Sequence, residues 1–494
     1  MRRVTGTTDL LRARGSVAII AALGLALTGC TGDEDTTMGV QSAATINTPA
    51  QIAQESDDNY DNNMNGLVTG ATLQTWIDDW ENNKPAGIEG RLVILDVAPI
   101  NLGDNVNPDY RYITPDAQNG VLSYGIDHNR LTQVRSNGVI ETVQVVPDGN
   151  QVDEFLKDYA IDPTKDMIVC AMGRGGNSQA MLQGRCWYMF RYWGAPKENL
   201  AVLSGGLHHP AVIDPAYLGT TATCDEVASS GACLPRNGRV SVRDLPEDNT
   251  ALQATLGDVF DVVEGRANAF LWDARGAGEY NGTQFTGNNG SKQGHPQGAV
   301  LLPYANLLVS DDADAAALLP AVASYRYKPK ADLWDYMSGL MVDGAQFQVW
   351  DNGVLRALSP DEVYQDGQTV ITYCETTFRA MITGFASAAI LGLPNRFYDG
   401  AMVEWNSLSA GVQDKYGSFI LPVDSPWRTD VEGVSVPFDA YNDPANIDAR
   451  VIDDPYAANA EAVVFEDRLY KYGSGSSDGD AGGGVSLPSN PCGG

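Results

Sequence analysis

The alternation of apolar and polar positions predicts a first series of buried strands joined by helices. Three short apolar runs end at an acid or at glycines, namely Gly90–Val97, Asp166–Ala171 and Asn199–Leu203. Between the second and third runs, apolar side chains recur at helical spacing from Met181 to Trp193. Strands that alternate with helices are typical of parallel α/β domains.

A second series repeats the same order about 180–200 residues later. Apolar strands are predicted at Ala269–Arg275, Thr369–Cys374 and Arg396–Gly400, with a helix over 378–390. This repetition indicates an internal duplication. We therefore predict an α/β fold of two tandem domains, each a parallel sheet flanked by helices.

Changes in composition suggest where these domains begin and end. The first domain is predicted at 66–214 and the second at 249–415, with a linker over 215–248. Residues 416–472 combine short apolar runs with many acids and are predicted to wrap the second domain. Residues 473–494 are rich in glycine and serine, which predicts a disordered tail.

The N-terminal segment has the pattern of an export signal. Four arginines precede the apolar run Val17–Leu27, whose 11 residues are too few to span a bilayer as a helix. The run ends in Leu27-Thr28-Gly29-Cys30, which resembles a bacterial lipobox. We expect a signal peptide over 1–29, a lipid on Cys30 that anchors the protein to a membrane, and a flexible tether over 30–65. Thr31 is not the Asp associated with inner-membrane retention, so the outer membrane is favoured. An ordinary secretory signal that happens to end near a cysteine is the alternative.

The net charge of the chain limits the kinds of partner that we expect. Lys and Arg total 32 against 63 Asp and Glu, for a formal net charge of −31. Such a surface repels phosphate backbones, so a nucleic-acid partner is not expected. An anionic substrate would need a locally positive pocket.

Cysteine and histidine usage predicts disulfides and argues against a metal site. An oxidising compartment permits disulfides, and Cys224 and Cys233 bracket a short loop, which makes them the best pairing. The four histidines are scattered, and His208-His209 is interpreted as a polar loop, so neither a metal nor another cofactor is expected. Cys170 and Cys186 are interpreted as buried core thiols.

Cys374 occupies the most informative position in the chain. It ends an apolar strand, and the loop Glu375–Arg379 runs directly into an amphipathic helix. Backbone amides, the helix N-terminus and Arg379 would all favour a thiolate over a thiol there. The carboxyl end of a parallel strand is also where α/β folds bind ligands. The alternative is a buried cysteine with a structural role only.

The second domain resembles a rhodanese (thiosulfate sulfurtransferase-like) domain. Four elements in order carry the resemblance: Leu271–Arg275, Gly294–Val300, Val370–Arg379 and Asp399–Trp405. The first domain is similar to a degenerate partner, with Ala98 at the position of Arg275 and Ala171 at that of Cys374. A slip of one residue in this alignment would instead make Cys170 a second nucleophile.

The resemblance implies transfer of a sulfane sulfur through a persulfide on Cys374, from a small anionic donor such as thiosulfate to a thiol or cyanide acceptor. It implies that Arg379 and the loop residues Glu375, Thr376, Thr377 and Phe378 bind the donor. Asp273, Arg275 and His295 would support the loop. Glu375 stands where many members have a basic residue, and the basic cluster Arg326, Lys328 and Lys330 could supply that charge or could be a solvated surface.

Other functions stay open at this stage. Tyrosine phosphatases need five residues between cysteine and arginine, whereas here there are four, which disfavours phosphatase chemistry. A rhodanese-like lipoprotein could also handle selenite or tellurite, assist assembly of an exported redox protein, or serve as a non-catalytic binding module. Cys492 near the C-terminus could accept sulfur from Cys374, or simply be free or paired elsewhere.

Overall fold

Two parallel sheets with the same strand order form the core of the protein. The computed structural model describes residues 45–98, 111–138, 141–172, 180–226, 237–284, 294–310, 324–351, 353–409 and 461–473. All of these residues belong to one compact unit, Ala43–Gly494.

The first sheet is built from chain segments between residues 66 and 225. Its region contains strands β1 Gly66–Val68, β2 Leu92–Ala98, β3 Tyr112–Ile113, β4 Val121–Asp127, β5 Gln133–Ser136, β6 Glu141–Val145, β7 Met167–Met172, β8 Leu200–Gly206, β9 Leu218–Gly219 and β10 Cys224–Asp225. The helices are α1 Pro49–Ile52, α2 Gly70–Asp78, α3 Trp80–Asn83, α4 Gly149–Tyr159 and α5 Ala180–Trp193. Within the described residues the sheet order is β1-β8-β7-β2-β4-β10, and neighbouring strands pair in parallel.

The second sheet repeats this order between residues 253 and 398. Its region contains β11 Gln253–Ala254, β12 Ala269–Asp273, β13 Val300–Leu301, β14 Leu308–Val309, β15 Arg326–Tyr327, β16 Gln348–Asp351, β17 Val354–Ala357, β18 Thr369–Tyr373 and β19 Asn395–Tyr398. The helices are α6 Leu256–Val263, α7 Ala277–Tyr280, α8 Lys330–Met337, α9 Ala380–Phe385, α10 Ala401–Ser409 and α11 Ala462–Tyr472, and α9 continues as a π-helix over Ala386–Ile390. The order β11-β19-β18-β12-β13 matches β1-β8-β7-β2-β4, and an antiparallel hairpin, β16-β17, extends the edge. The predicted fold class is confirmed.

Helices α5 and α9 pack against each other and join the two sheets. Gly184 lies at their contact, where an added Cβ would come within 2.7 Å of the Met381 carbonyl oxygen, so only glycine fits without a shift. Next to it, the ring of Trp187 packs 5.3 Å from Phe385 and that of Tyr188 packs 4.6 Å from Phe397. These aromatic pairs are buried, and they bind the two sheets into one hydrophobic core.

Three boundary predictions are corrected by the structure. Residues 45–65, predicted to be part of a flexible tether, are packed: Ile52 is buried and the Ser56 amide donates to the Ile390 carbonyl at 3.0 Å. The predicted linker includes β10, which joins the edge of the first sheet. Helix α11 lies against the first sheet's region, not the second, because Asp467 pairs with Arg135 at 2.8 Å. Residues 416–460 and 474–494 lie outside the described residues.

Candidate active site

Cys374 lies at the carboxyl end of β18, in the middle of the second sheet. It is a free thiol, in contrast to the other cysteines that the structure describes. It is 1% exposed and packs with Ala274, Ala380 and the half-buried ring of Tyr304. Its carbonyl accepts a hydrogen bond from the Met402 amide at 3.2 Å, at the start of α10. The thiol at this strand end is therefore buried and does not lie on the surface.

Side-chain and backbone hydrogen bonds hold the loop that follows Cys374 in place. The Thr377 hydroxyl donates to the carbonyls of Tyr398 and Asp399 at 2.9 and 3.0 Å. Thr377 has a positive φ of 67°, which a β-branched residue adopts only where its surroundings enforce it. The Val403 amide donates to the Glu375 carbonyl at 3.3 Å. These bonds anchor the loop to the end of β19 and the start of α10.

The backbone amides of this loop are available to a ligand. Within the described residues, the amides of Thr376, Thr377, Phe378 and Arg379 donate to no acceptor, although the first three of these residues are buried. Buried amides are nearly always paired. A run of them beside a thiol can hold a negatively charged sulfur, as an oxyanion hole holds oxygen.

Arg379 is occupied by a carboxylate that the sequence analysis did not place in the site. Its two terminal nitrogens donate to the two oxygens of Glu279 at 2.6 and 2.7 Å, and Glu279 also accepts from the Gly276 amide at 3.0 Å. Burial alone would lower the pKa of Arg379, but the hydrogen bonds to Glu279 and the nearby Cys374 raise it above its ordinary value. Arg379 is therefore already paired with a carboxylate, and the expectation that it pairs with the donor stays a prediction.

Asp273 and Arg275 form a buried pair at the end of β12. Both are fully buried, and Arg275 donates to Asp273 at 2.6 to 3.1 Å. Nη2 of Arg275, which donates to Asp273, also donates to the Gly294 carbonyl at 2.5 Å. His295 stacks on Tyr280 at 3.7 Å between ring centroids, and burial lowers its pKa to about 4, so it is neutral near pH 7. His295 therefore lies beside this pair as a packing residue.

The first sheet's region contributes directly to the loop's support. Arg185 of α5 donates to Asp399 at 2.7 Å, and both side chains are fully buried. The Val146 amide donates to the other Asp399 oxygen, also at 2.7 Å. The ring of His128 lies 6.0 Å from that of Phe378. A signal was present in the sequence, since a charged residue inside the apolar helix 180–193 must find a buried partner.

A second carboxyl group, Glu404, lies behind the loop at the start of α10. The pKa of Glu404 is raised to about 7, chiefly by burial and also by the charge of Asp399. A hydrogen bond from Tyr398 acts in the opposite direction. Glu375, next to the thiol, is also buried. The surroundings of Cys374 are thus rich in carboxylates.

Strand register corrects the alignment of the two halves. Asp273 lies beside Tyr373 in the second sheet, whereas Asp96 lies beside Ala171 in the first. Matching the two aspartates puts Met172, not Ala171, at the position of Cys374. The first half still has no thiol there.

The interpretation of Cys170 and Cys186 as core thiols was wrong. They are buried, but they are bonded to each other in a disulfide that ties β7 to α5. This also excludes Cys170 as a second nucleophile. At the corresponding place in the second sheet, Thr372 and Thr383 tie β18 to α9 by a hydrogen bond of 2.5 Å. Cys224 is disulfide-bonded, and its predicted partner Cys233 lies outside the described residues, as do Cys30 and Cys492.

The basic cluster does not supply charge to the loop. Lys328 pairs with Asp343 at 2.6 Å, and Lys330 pairs with Glu55 at 2.6 Å. Arg326 packs beside Gly205 of the first sheet. Neither of the two interpretations left open by the sequence is therefore correct for Lys328 and Lys330, because these two side chains are paired and buried.

Several solved structures resemble this chain at low identity. Tum1 from Saccharomyces cerevisiae is 17% identical, with 70% of this chain and 95% of that chain covered and a TM-score of 0.47. SseA from Escherichia coli is a 3-mercaptopyruvate sulfotransferase of "Rhodanese" fold. It is 18% identical, with 68% of this chain and 98% of that chain covered and a TM-score of 0.44. An anaerobic ergothioneine biosynthesis enzyme from Chlorobium limicola is 13% identical, with 72% of this chain and 70% of that chain covered and a TM-score of 0.45. No family model and no curated protein matches the chain. These similarities concern the path of the chain and not the reaction.

Two further observations concern metals and membranes. Among the described residues, no group of three or more His, Cys, Asp or Glu side chains is placed to hold a metal ion. None of the helices in the described ranges has both the length and the apolar character needed to cross a bilayer.

Proposed function

We propose that the protein is a sulfurtransferase that carries a sulfane sulfur on Cys374. The observation that supports this most strongly is the combination of a free thiol at a strand end with a buried loop whose amides have no acceptor among the described residues. The amides of such a loop can stabilise a persulfide, in which a negatively charged outer sulfur is bonded to the cysteine sulfur. The rigid support from Thr377 and Asp399 keeps the amides in place through both steps of transfer.

The transfer takes two displacement steps. The Cys374 thiolate attacks the outer sulfur of a donor, such as thiosulfate or a similar compound, and the new S–S bond forms as the donor's own S–S bond breaks. The leaving group departs with the electron pair of that bond. An acceptor, a thiolate or cyanide, then attacks the outer sulfur of the persulfide and releases the Cys374 thiolate. No oxidant or cofactor is needed.

Access to the thiol requires a small movement of side chains. Cys374 is 1% exposed, so a donor reaches it only when a neighbour such as Tyr304 moves aside. Exclusion of water in the closed state would protect the persulfide from hydrolysis and from stray thiols.

The protein is further proposed to work outside the cytoplasm, anchored by a lipid on Cys30 and more favourably at the outer than the inner membrane. Support comes from the lipobox-like Leu27–Cys30 and from the buried disulfide between Cys170 and Cys186, since structural disulfides form mainly in oxidising compartments.

Thiocyanate formation from a sulfane donor and cyanide tests the proposal. Cys374→Ser is expected to lose at least about 100-fold in rate, because serine cannot form the persulfide. Cys492→Ser serves as the matched control and keeps the rate with cyanide. If the Cys374→Ser protein keeps both its fold, by circular dichroism, and its rate, the proposal is wrong.

A further inference from the structure

We propose that helix α11 is a displaceable latch, whose docking on the first half keeps the loop after Cys374 in the closed arrangement that sulfur transfer uses. The helix spans Ala462–Tyr472. Its release would uncover the thiol and misalign the amides of the loop. The statement about sulfur transfer rests on the proposed function, whereas the statement about exposure of the thiol does not.

Helix α11 buries little apolar surface. Four of its residues are buried, and two of these, Asp467 and Lys471, are charged. The other two are Val463 and Val464, whereas the larger Leu469 is 42% exposed. Burial of an apolar face supplies most of the free energy that holds a helix on a protein. The docking of α11 therefore depends on its polar contacts.

The two buried charges of α11 are held by polar groups of the first half. Asp467 accepts from the two terminal nitrogens of Arg135 at 2.8 and 2.9 Å, and from the Tyr192 hydroxyl at 2.7 Å. One turn later, Lys471 donates to the Trp193 carbonyl at 2.9 Å. Burial raises the pKa of Asp467 to about 6 and lowers the pKa of Lys471 to about 8. Desolvation of both charges thus opposes docking, which makes α11 easier to release than its many bonds suggest.

A continuous series of hydrogen bonds leads from α11 to the loop after Cys374. Arg135, which is paired with Asp467, also donates to the Val146 carbonyl at 3.2 Å. The Val146 amide donates to the Asp399 carboxylate at 2.7 Å, and the Asp399 carbonyl accepts from the Thr377 hydroxyl at 3.0 Å. Loss of Asp467 would leave a buried guanidinium without its closest partner. The guanidinium would then move, and residue 146 with it.

The loop is sensitive to such a movement because Thr377 is held in an unfavourable conformation. Its φ of 67° is costly for a β-branched residue and persists only while the surrounding bonds enforce it. When the support from Asp399 weakens, Thr377 can relax to a negative φ. This change would turn the loop amides away and uncover Cys374, which is 1% exposed in the docked state. We therefore expect faster reaction of the thiol with an added reagent together with slower sulfur transfer.

Val464→Asp in the full protein tests the latch. A charge among the buried contacts of α11 should release the helix without altering Arg135 or Thr377. Hydrogen exchange measured by mass spectrometry reports the release: residues 462–472 should exchange at least about 100-fold faster than in the unmodified protein, while β18 and α5 stay protected. Leu469→Ala is the matched control, because Leu469 lies on the exposed side of the same helix.

Two rates are then compared. Alkylation of Cys374 by iodoacetamide should be at least about tenfold faster in Val464→Asp, and thiocyanate formation from thiosulfate and cyanide at least about fivefold slower. Asp467→Asn, which breaks the link to Arg135 itself, should change both rates in the same directions by at least about threefold. Leu469→Ala should leave both rates within about twofold.

Each remaining outcome also decides the matter. If α11 of the unmodified protein exchanges as slowly as β18, the helix is not displaceable and the proposal is wrong. The proposal also fails if α11 is released and either rate is unchanged. If Val464→Asp does not fold or does not release α11, the two rates of Asp467→Asn decide. If no protein forms thiocyanate while alkylation of Cys374 still depends on α11, the proposed function fails and the latch stands.

Discussion

Arg185 and Asp399 form a fully buried ion pair, 2.7 Å long, that joins α5 in the first half to the end of β19 in the second. Asp399 also accepts from the Val146 amide, and its own carbonyl receives the Thr377 hydroxyl. The first half thus helps to hold the loop that follows Cys374 in the second half.

Removal of Arg185 should destabilise the protein strongly. Arg185→Met leaves the Asp399 charge buried without its partner, which typically costs about 3–5 kcal/mol. Urea denaturation measures this loss. The control Arg266→Met breaks an exposed ion pair with Asp261 and should change stability by less than about 1 kcal/mol. Similar losses in the two variants would show that the buried pair has no special role.

The Thr377 hydroxyl should matter more than its methyl group. Thr377→Ser keeps both hydrogen bonds to the backbone of residues 398 and 399, and its rate of sulfur transfer should stay within about threefold. Thr377→Val keeps the shape but leaves two buried carbonyls without a donor, and should lose about tenfold or more. Equal rates for the two variants would contradict the role given to this hydroxyl.

The disulfide between Cys170 and Cys186 should stabilise the first half. The two residues are 16 apart, and closing a loop of this size is worth about 3 kcal/mol. The double variant Cys170→Ala/Cys186→Ala should therefore unfold at a lower urea concentration than the unmodified, unreduced protein. Alkylation of Cys170 in the native, unreduced protein would rule out the bond.

Glu404 should make stability depend on pH. Burial raises its pKa from 4.5 to about 7, so between these values the folded protein binds more protons than the unfolded chain. The stabilising contribution of its protonated form is present below about pH 4.5 and is lost as pH rises through about 7, by up to about 3 kcal/mol. Urea unfolding at pH 5 and pH 8 should show a smaller drop for Glu404→Gln than for the unmodified protein. Equal drops would contradict the assignment.

The local patterns in the sequence were enough to predict three adjacent strands in each sheet, and the helix that follows β7 and β18. The runs at 166–171 and 369–374 became β7 and β18, and the helical spacing after each became α5 and α9. The position of Cys374 at a strand end followed from the same pattern. Periodicity along the chain is a local property, so it is enough to predict individual strands and helices.

Long-range pairings could not be predicted in this way. The partners of Arg379 and Arg185 lie 100 and 214 residues away, and no local spacing specifies them. The register of β7 was missed because all six of its residues are buried and apolar, which leaves no alternation to fix an alignment. The site's charge balance depends on those pairings.

The central claim is that Cys374 carries the transferred sulfur, and intact-protein and peptide mass spectrometry test it most directly. After incubation with a sulfane donor and removal of excess, the account predicts an added mass of about 32 Da, one sulfur, confined to the peptide that contains Cys374 and lost on treatment with cyanide. Cys374→Ser should remain folded and gain no such mass. An unmodified Cys374 with every donor, or sulfur on another residue alone, would contradict the account.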